Sequence, residues 1–456
     1  MSQILSTKTK KVFISIIAFF IFINLFTIKS QANLDNLTGI DENYTTQQNE
    51  NNIFSPYQVM YDREETYREK ILNKMATYGA TLKSEYDLRD YIDIPVKNQG
   101  DTWRCWIYSI NSAIETNLAK TQEIVTRFDE EYTDIKTESI YEKSSLIGGN
   151  NLISLGFYTS GAGPKNLNDN KIEYEVEDYI MFPSINKIKN GTTTKYYDAS
   201  GIELTSAQLK EIRDSIKSHI VNYGAVTGVT YTEGKEFFSN QSNLAASQAY
   251  YCDNSAKSGD HQITIIGWDD NYPITNFNPE HRPSTPGAYI VLNSYGEDMF
   301  DNGYIYISYE DLLIENNVVG VKKSNKIDHS TIYQHDELGM NNGIGATTLD
   351  TLYAANVFTR TNKNELENLT EISVANLISC SYEIYVNSSD GTLNSNKLQK
   401  VKTTGKLEAG YHTIELDNPI TLTGEKFAIA IKCVRINWRN LYRNRRSKCN
   451  SVLVEC

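Results

Sequence analysis

Gln99, Cys105, His261 and Asn293 are the residues of this chain whose types and neighbours could break an acyl bond. A cysteine attacks as its thiolate, and a free thiol with a pKa of about 8.5 is mostly protonated at neutral pH, so a helix N-terminus or an imidazole must lower that value. Cys105 opens a stretch in which Ile107, Ile110, Ile114 and Leu118 recur at three- and four-residue steps. This is the spacing of one buried helical face, and it predicts the thiol at the N-terminal end of a helix. His261, just before an apolar run, could take the thiol proton, while Asn293, closing the next apolar run, could orient the imidazole. Gln99 stands six residues before Cys105, from where its side-chain amide could join the Cys105 backbone N–H in binding a tetrahedral oxyanion. Taken singly, each also has a structural reading: a cysteine packed in the core, a histidine satisfied by its surroundings, amide side chains that shape turns.

Bringing these groups together requires an α+β framework. Thr205 and Gln208 form a capping box that starts another helix, with Leu209, Ile212, Ile216, Ile220 and Tyr223 on one face and Gly224 as its stop. Residues 263–266 and 289–292 are short apolar runs with β-branched members, and residues 303–309 alternate aromatic and isoleucine, so all three are predicted strands. After about residue 326 the helical signals fade. Residues 354–358, 381–386, 411–416 and 427–433 then predict short strands with turns such as Asp390-Gly391, hence a separate β-sandwich. Ahead of the Cys105 helix, Tyr67, Ile71, Leu72 and Met75 predict a short amphipathic helix over residues 61–75.

With 456 residues, 40% of them hydrophobic, the chain has room for two or three globular domains. Its 57 acidic against 44 basic residues leave a net charge of −13, which argues against a phosphate-binding surface and against nucleic acid as a partner. Six cysteines show neither CxxC pairs nor the density of a disulfide framework, so a structural zinc site is unsupported. The first 32 residues carry no acid: Lys8, Lys10 and Lys11 precede an apolar run of 17 residues over 12–28, followed by Ser30-Gln31-Ala32. That is the pattern of a secretory signal peptide cleaved after Ala32, with a membrane anchor of near-minimal length as the competing reading. No later segment is apolar enough to span a bilayer, so no stable membrane span is expected after signal removal.

Three segments resemble the papain-like cysteine peptidases: Tyr86-Asp87-Leu88-Arg89-Asp90 with Pro95-Val96-Lys97-Asn98-Gln99-Gly100 and Cys105-Trp106, then Gly259-Asp260-His261-Gln262, then Leu292-Asn293-Ser294-Tyr295-Gly296. The resemblance implies Gln99 as oxyanion donor, Cys105 as nucleophile, His261 as general base and acid, and Asn293 as the orienter of the histidine. It also implies that the backbone of Gly148-Gly149 holds an extended substrate, against the reading of a plain loop glycine pair. Gly161-Ala162-Gly163-Pro164 is similar to secreted clostridial-type members. Ile332-Tyr333-Gln334-His335-Asp336 and Ala409-Gly410-Tyr411-His412 resemble the lectin-like β-domain attached to those bacterial peptidases.

The chain departs from the family pattern in four places, one being Thr102, where a disulfide cysteine often stands three positions ahead of the nucleophile. Trp103-Arg104 stand where a small pair usually precedes the nucleophile, Gln262 replaces a small residue after the histidine, and Tyr295 replaces a tryptophan. Bulk at Trp103 would narrow the cleft, and Arg104 could help hold a thiolate. The expected organisation is a signal peptide at 1–32, a propeptide at 33–83, a two-lobed papain-like peptidase domain at 84–325, a lectin-like β-sandwich at 326–434 and a basic tail at 435–456. The expected function is a secreted or cell-surface cysteine endopeptidase acting through a thioester. It needs no cofactor, its metal content is left open, and its partners are protein or peptide substrates, with cell-wall polymer or surface glycan a candidate ligand of the C-terminal domain. The alternative is a papain-fold adhesin with weak or no turnover.

Overall fold

The computed structural model describes residues 82–141, 148–199, 201–335, 351–361, 365–376 and 379–435, together with the backbone of the short strands Ile53–Phe54, Gly343–Ile344 and Val452–Glu455. The expected signal peptide, the helix over 61–75, nearly all of the expected propeptide and the basic tail lie outside the described side chains.

Helix α1, Cys105–Gln122, forms where the apolar spacing predicts it, and Ile107, Ile110, Ile114 and Leu118 are all fully buried. Each such side chain contributes roughly 1.5–3 kcal/mol by leaving water. With α2 (Glu130–Tyr141) and α3 (Asn151–Thr159) it builds a helical lobe, in which the Tyr158 hydroxyl of α3 bonds Asn111 of α1 and Thr133 of α2. The other lobe is a sheet with α4, Ser206–Tyr223, on one side. Thr205 Oγ1 accepts the Gln208 N–H and Gln208 Oε1 accepts the Thr205 N–H, so the capping box is present as predicted. Gly224 ends the helix with φ +111°, where a Cβ would stand 2.8 Å from the backbone of Thr116, so glycine lets α4 close onto α1.

The strands that position the site are β1 (Glu85–Asp87), β2 (Tyr174–Met181), β3 (Val226–Thr230), β4 (His261–Asp269), β5 (Ala288–Leu292), β6 (Tyr304–Ser308) and β7 (Val319–Lys326). They run in the order β2-β7-β3-β4-β5-β6, with β1 paired to β4. The core of the sheet lobe joins Ile263 and Ile265 of β4 to Val291 of β5, Ile305 of β6 and Ile216 of α4.

The C-terminal strands are β8 (Thr351–Thr359), β9 (Glu367–Asn376), β10 (Cys380–Asn387), β11 (Gln399–Leu407), β12 (Gly410–Leu422) and β13 (Lys426–Arg435). A four-stranded sheet in the order β8-β13-β10-β11 packs on β9 and β12. Alternation explains the interface: Phe427, Ile429, Ile431 and Cys433 of β13 point inward and meet Ile372, Val374 and Ile414 of the facing layer. The sandwich thus has its own core, yet one of its sheets is continuous with the first domain. Strand β12 pairs with the edge of β2, Gly410 opposite Ile180 and Tyr411 opposite Tyr179, the two tyrosine rings stacked with centroids 5.8 Å apart.

Gly410 makes that junction. Its φ is +149° and a Cβ there would lie 2.0 Å from the Tyr179 carbonyl oxygen. Gly410→Val should therefore open the β12–β2 pairing and release the Met181 amide from the Ala409 carbonyl, a 3.0 Å bond. Hydrogen exchange at Met181 should accelerate roughly tenfold or more while the β10 and β13 amides keep their protection. Unchanged exchange at Met181 would show that the junction does not depend on this contact.

Candidate active site

Cys105 is the first residue of α1, where the backbone N–H groups lack intrahelical partners and the helix dipole is positive. His261 opens β4 and Asn293 follows the last residue of β5, so the pairing of those strands brings them together. His261 Nε2 lies 2.8 Å from Asn293 Oδ1. The same oxygen accepts the Ser294 N–H at 2.7 Å, which identifies it as the amide oxygen and makes Nε2 the donor. Nδ1 is then the basic nitrogen of the neutral ring. Tyr295 stacks on the imidazole, centroids 4.7 Å apart, and so covers the ring where the family pattern has tryptophan.

Gln99 is held in the same place by a stitched pair of loops. Its N–H donates to Ser294 O at 2.8 Å, Ser294 Oγ donates to Gln99 Oε1 at 2.6 Å, and Gly296 N–H donates to Lys97 O at 3.0 Å. Gln99 Nε2 spends one hydrogen on Thr102 O at 2.6 Å, which leaves the second for an external acceptor. Lys97 anchors the loop from below through Glu115 of α1 (2.7 Å) and Glu130 of α2 (2.6 Å). Sequence reasoning assigned neither Ser294 nor Thr102 a part in holding Gln99, although Ser294 adjoins Asn293 and so carried a positional signal.

The glycine pair also belongs to this region. A Cβ on Gly149 would come within 2.4 Å of the buried Trp106 indole, and one on Gly148 within 3.6 Å of the Trp103 Cβ, so the pair lies flat against the segment that carries Cys105. Trp103 itself is 56% exposed. Arg104 differs from expectation: its Nε pairs with Asp134 of α2 at 2.8 Å and so binds the loop to the helical lobe.

Burial sets the electrostatics. Desolvation pushes the Cys105 thiol up, opposed by the N–H groups of Gln262 and Trp106 and reinforced by the charge of Asp260. Desolvation also pushes His261 down to about 4, against the upward pull of its Asn293 bond. Each charge taken alone is thus disfavoured, contrary to the simple expectation of a lowered thiol pKa, because the sequence does not reveal how deeply the site is buried. A thiolate facing an imidazolium would be a charged form in which each ion compensates the other. Among the described residues no group of three His, Cys, Asp or Glu side chains is arranged to hold a metal, and no helix is long and apolar enough to cross a membrane.

Comparison with known proteins matches residues 82–327 to the papain family cysteine proteases and residues 332–440 to the lectin like domain. Cysteine proteinase 1 of Zea mays is 26% identical over 235 residues, 50% of this chain and 56% of its own length, so the chain spans about half of that curated relative. Two solved structures share the two-domain fold. One is the clostridial cysteine protease Cwp84 after propeptide cleavage, with TM-score 0.63, 23% identity, 82% of this chain and 87% of that one. The other comprises the cysteine protease and lectin-like domains of Cwp84, a surface layer associated protein of Clostridium difficile, with TM-score 0.63, 20% identity, 89% of this chain and 88% of that one.

A thiolate–imidazolium pair has a pH signature. Transfer of the proton from Sγ to Nδ1 changes no total charge, so the fraction of ion pair is flat between its two macroscopic titrations. Alkylation of Cys105 by iodoacetamide should therefore vary only a few-fold between pH 6 and pH 8. In His261→Ala the thiol titrates alone from a raised value, and its alkylation rate should rise about 100-fold from pH 6 to pH 8. Parallel profiles for the two proteins would contradict the pairing.

Proposed function

The chain belongs to the papain family of cysteine proteases, and we propose that it is a secreted cysteine endopeptidase, made as a precursor, that cuts peptide bonds with Cys105, His261, Asn293 and Gln99. The observation that carries this reading is the His261 Nε2 to Asn293 Oδ1 bond, which leaves Nδ1 as base for a thiol at the start of α1.

In the first step the Cys105 proton passes to His261 Nδ1 and the sulfur attacks the peptide carbonyl carbon. The carbonyl π electrons move to oxygen, and the oxyanion accepts from the Cys105 backbone N–H and the spare hydrogen of Gln99 Nε2. Collapse re-forms the carbonyl and breaks the C–N bond, with imidazolium donating its proton to the leaving amine. Water then attacks the thioester with His261 as base, and a second collapse returns the thiol. The Gly148-Gly149 backbone is the proposed rail for the substrate strand, because the absence of Cβ atoms permits close approach.

The lectin-like match supports a binding role for the sandwich, with wall polymer or surface glycan as its proposed ligand. The solved relative described after propeptide cleavage supports reading residues 33–83 as a propeptide, and the surface-layer association stated for the other supports export.

Cys105→Ala should abolish hydrolysis of casein, and Gln99→Ala should lower kcat by roughly 10²–10³, the typical effect of losing one oxyanion donor. Casein cleavage by Cys105→Ala at the parent rate would refute the assignment.

The chain from Asn33 should label more slowly with an epoxide peptide probe than one beginning at Ser84, and added 33–83 peptide should slow the shorter form again. Equal labelling rates would remove the propeptide from the proposal.

A further inference from the structure

Two histidines beyond the peptidase sheet reach back to β2, and each meets a carboxylate there. His412 of β12 stands directly opposite Asp178 of β2, so both side chains leave the paired strands on one face. Its Nε2 lies 2.9 Å from the Glu408 carbonyl oxygen and its Nδ1 3.1 Å from Asp178 Oδ1. Both neighbours are acceptors, and an imidazole donates from both nitrogens only as the cation. Neutral, it would turn a lone pair toward a carboxylate oxygen. Lys322 of β7 stands 3.9 Å from the carboxylates of Asp178 and Glu408, beyond hydrogen-bond reach of either. Tyr382 of β10, Lys402 and Lys406 of β11 and Glu415 of β12 border the same hollow, where Lys402 pairs with Asp417 and Glu415 faces Lys323.

His329 follows the end of β7, and its Nε2 is 2.9 Å from each oxygen of the buried Glu175, also on β2. The surrounding cavity, about 490 Å³, is lined by Glu177 of β2, Asp328, Glu365, and Glu367 and Glu371 of β9. Lys323 pairs with Glu177, while Arg360 and Tyr333 bond Glu367, so the proton of His329 is the charge set against Glu175. Without it the carboxylates of β2 and β9 face one another across the junction. We propose that His329 and His412 are a proton-operated clamp: as cations they hold the interdomain segment and β12 against β2, and as neutral rings they release them. The Glu175 bond holds His329 above the ordinary histidine value despite burial, with Asp328 and Glu371 adding to the pull. A histidine raised in the closed junction steadies it fully below about pH 6.5 and loses that effect as pH climbs through the raised value.

The test follows hydrogen exchange at the Met181 amide, which donates to Ala409 O across the junction, in the full chain carrying Cys105→Ala to prevent self-digestion. After correction for the intrinsic effect of pH, protection of Met181 should fall about tenfold between pH 6 and pH 8.5. The β10 and β13 amides should keep theirs. The fall should shrink in His329→Gln and in His412→Gln and vanish in the double variant, because glutamine retains a donor and does not titrate. Proton NMR should show His329 titrating above the ordinary value, and Glu175→Gln should return it toward that value. Equal Met181 protection at the two pH values, or an unchanged fall in the double variant, overturns the clamp. If the double variant does not fold, titration of His329 at the ordinary value in the parent overturns it instead.

Discussion

Ser109 lies fully inside the molecule, its hydroxyl bonded to the Ile263 carbonyl and its own carbonyl accepting from Thr264. This suture joins α1, the central helix of one lobe, to β4, a central strand of the other. Because Cys105 is one turn before Ser109 and His261 two residues before Ile263, the spacing of Cys105 and His261 is set by a helix crossing a strand. The loops that carry Gln99 and Asn293 then need only be tied to each other, which the Ser294 hydroxyl and backbone accomplish. A site divided between two lobes is sensitive to any sliding of one over the other, and buried polar bonds oppose sliding because each must be broken without water to replace it.

The burial that gives this precision also makes the resting site electrically quiet. His261 is buried and Cys105 half-buried, and this desolvation disfavours ionisation of either one by itself. Against that cost, the Gln262 and Trp106 N–H groups and the helix dipole favour the Cys105 thiolate, while Asn293 favours the His261 imidazolium. Tyr295 contributes shielding without charge, its own hydroxyl pushed up to about 12 by burial.

The elements with strong local signals were legible in the sequence. The isoleucine spacing of α1, the Thr205–Gln208 box of α4 and the apolar runs of β4 and β5 each state their structure within a dozen residues. What remained hidden depends on residues far apart in the chain. The Arg104–Asp134 pair could not be read because nothing local indicates that α2 passes beside the nucleophile loop. The direction of the Cys105 shift was missed for the same reason, since burial is a property of the assembled lobes. The flatness of Gly148-Gly149 became interpretable only once the Trp106 indole was seen beneath Gly149. The joining of β12 to β2 rests on a missing Cβ at Gly410, and a turn glycine looks the same in sequence whether it faces solvent or another strand.

That junction bears on how the peptidase sheet is protected. Without β12, β2 would be an outermost strand, presenting the unpaired N–H and C=O groups of residues 178–181 to solvent. Such a row is a template for a strand from another molecule, and proteins cover or blunt it to remain soluble. Here the covering strand comes from the sandwich. The C-terminal domain therefore also guards a sheet edge, and its loss would leave the papain-like half prone to self-association even with its own core intact.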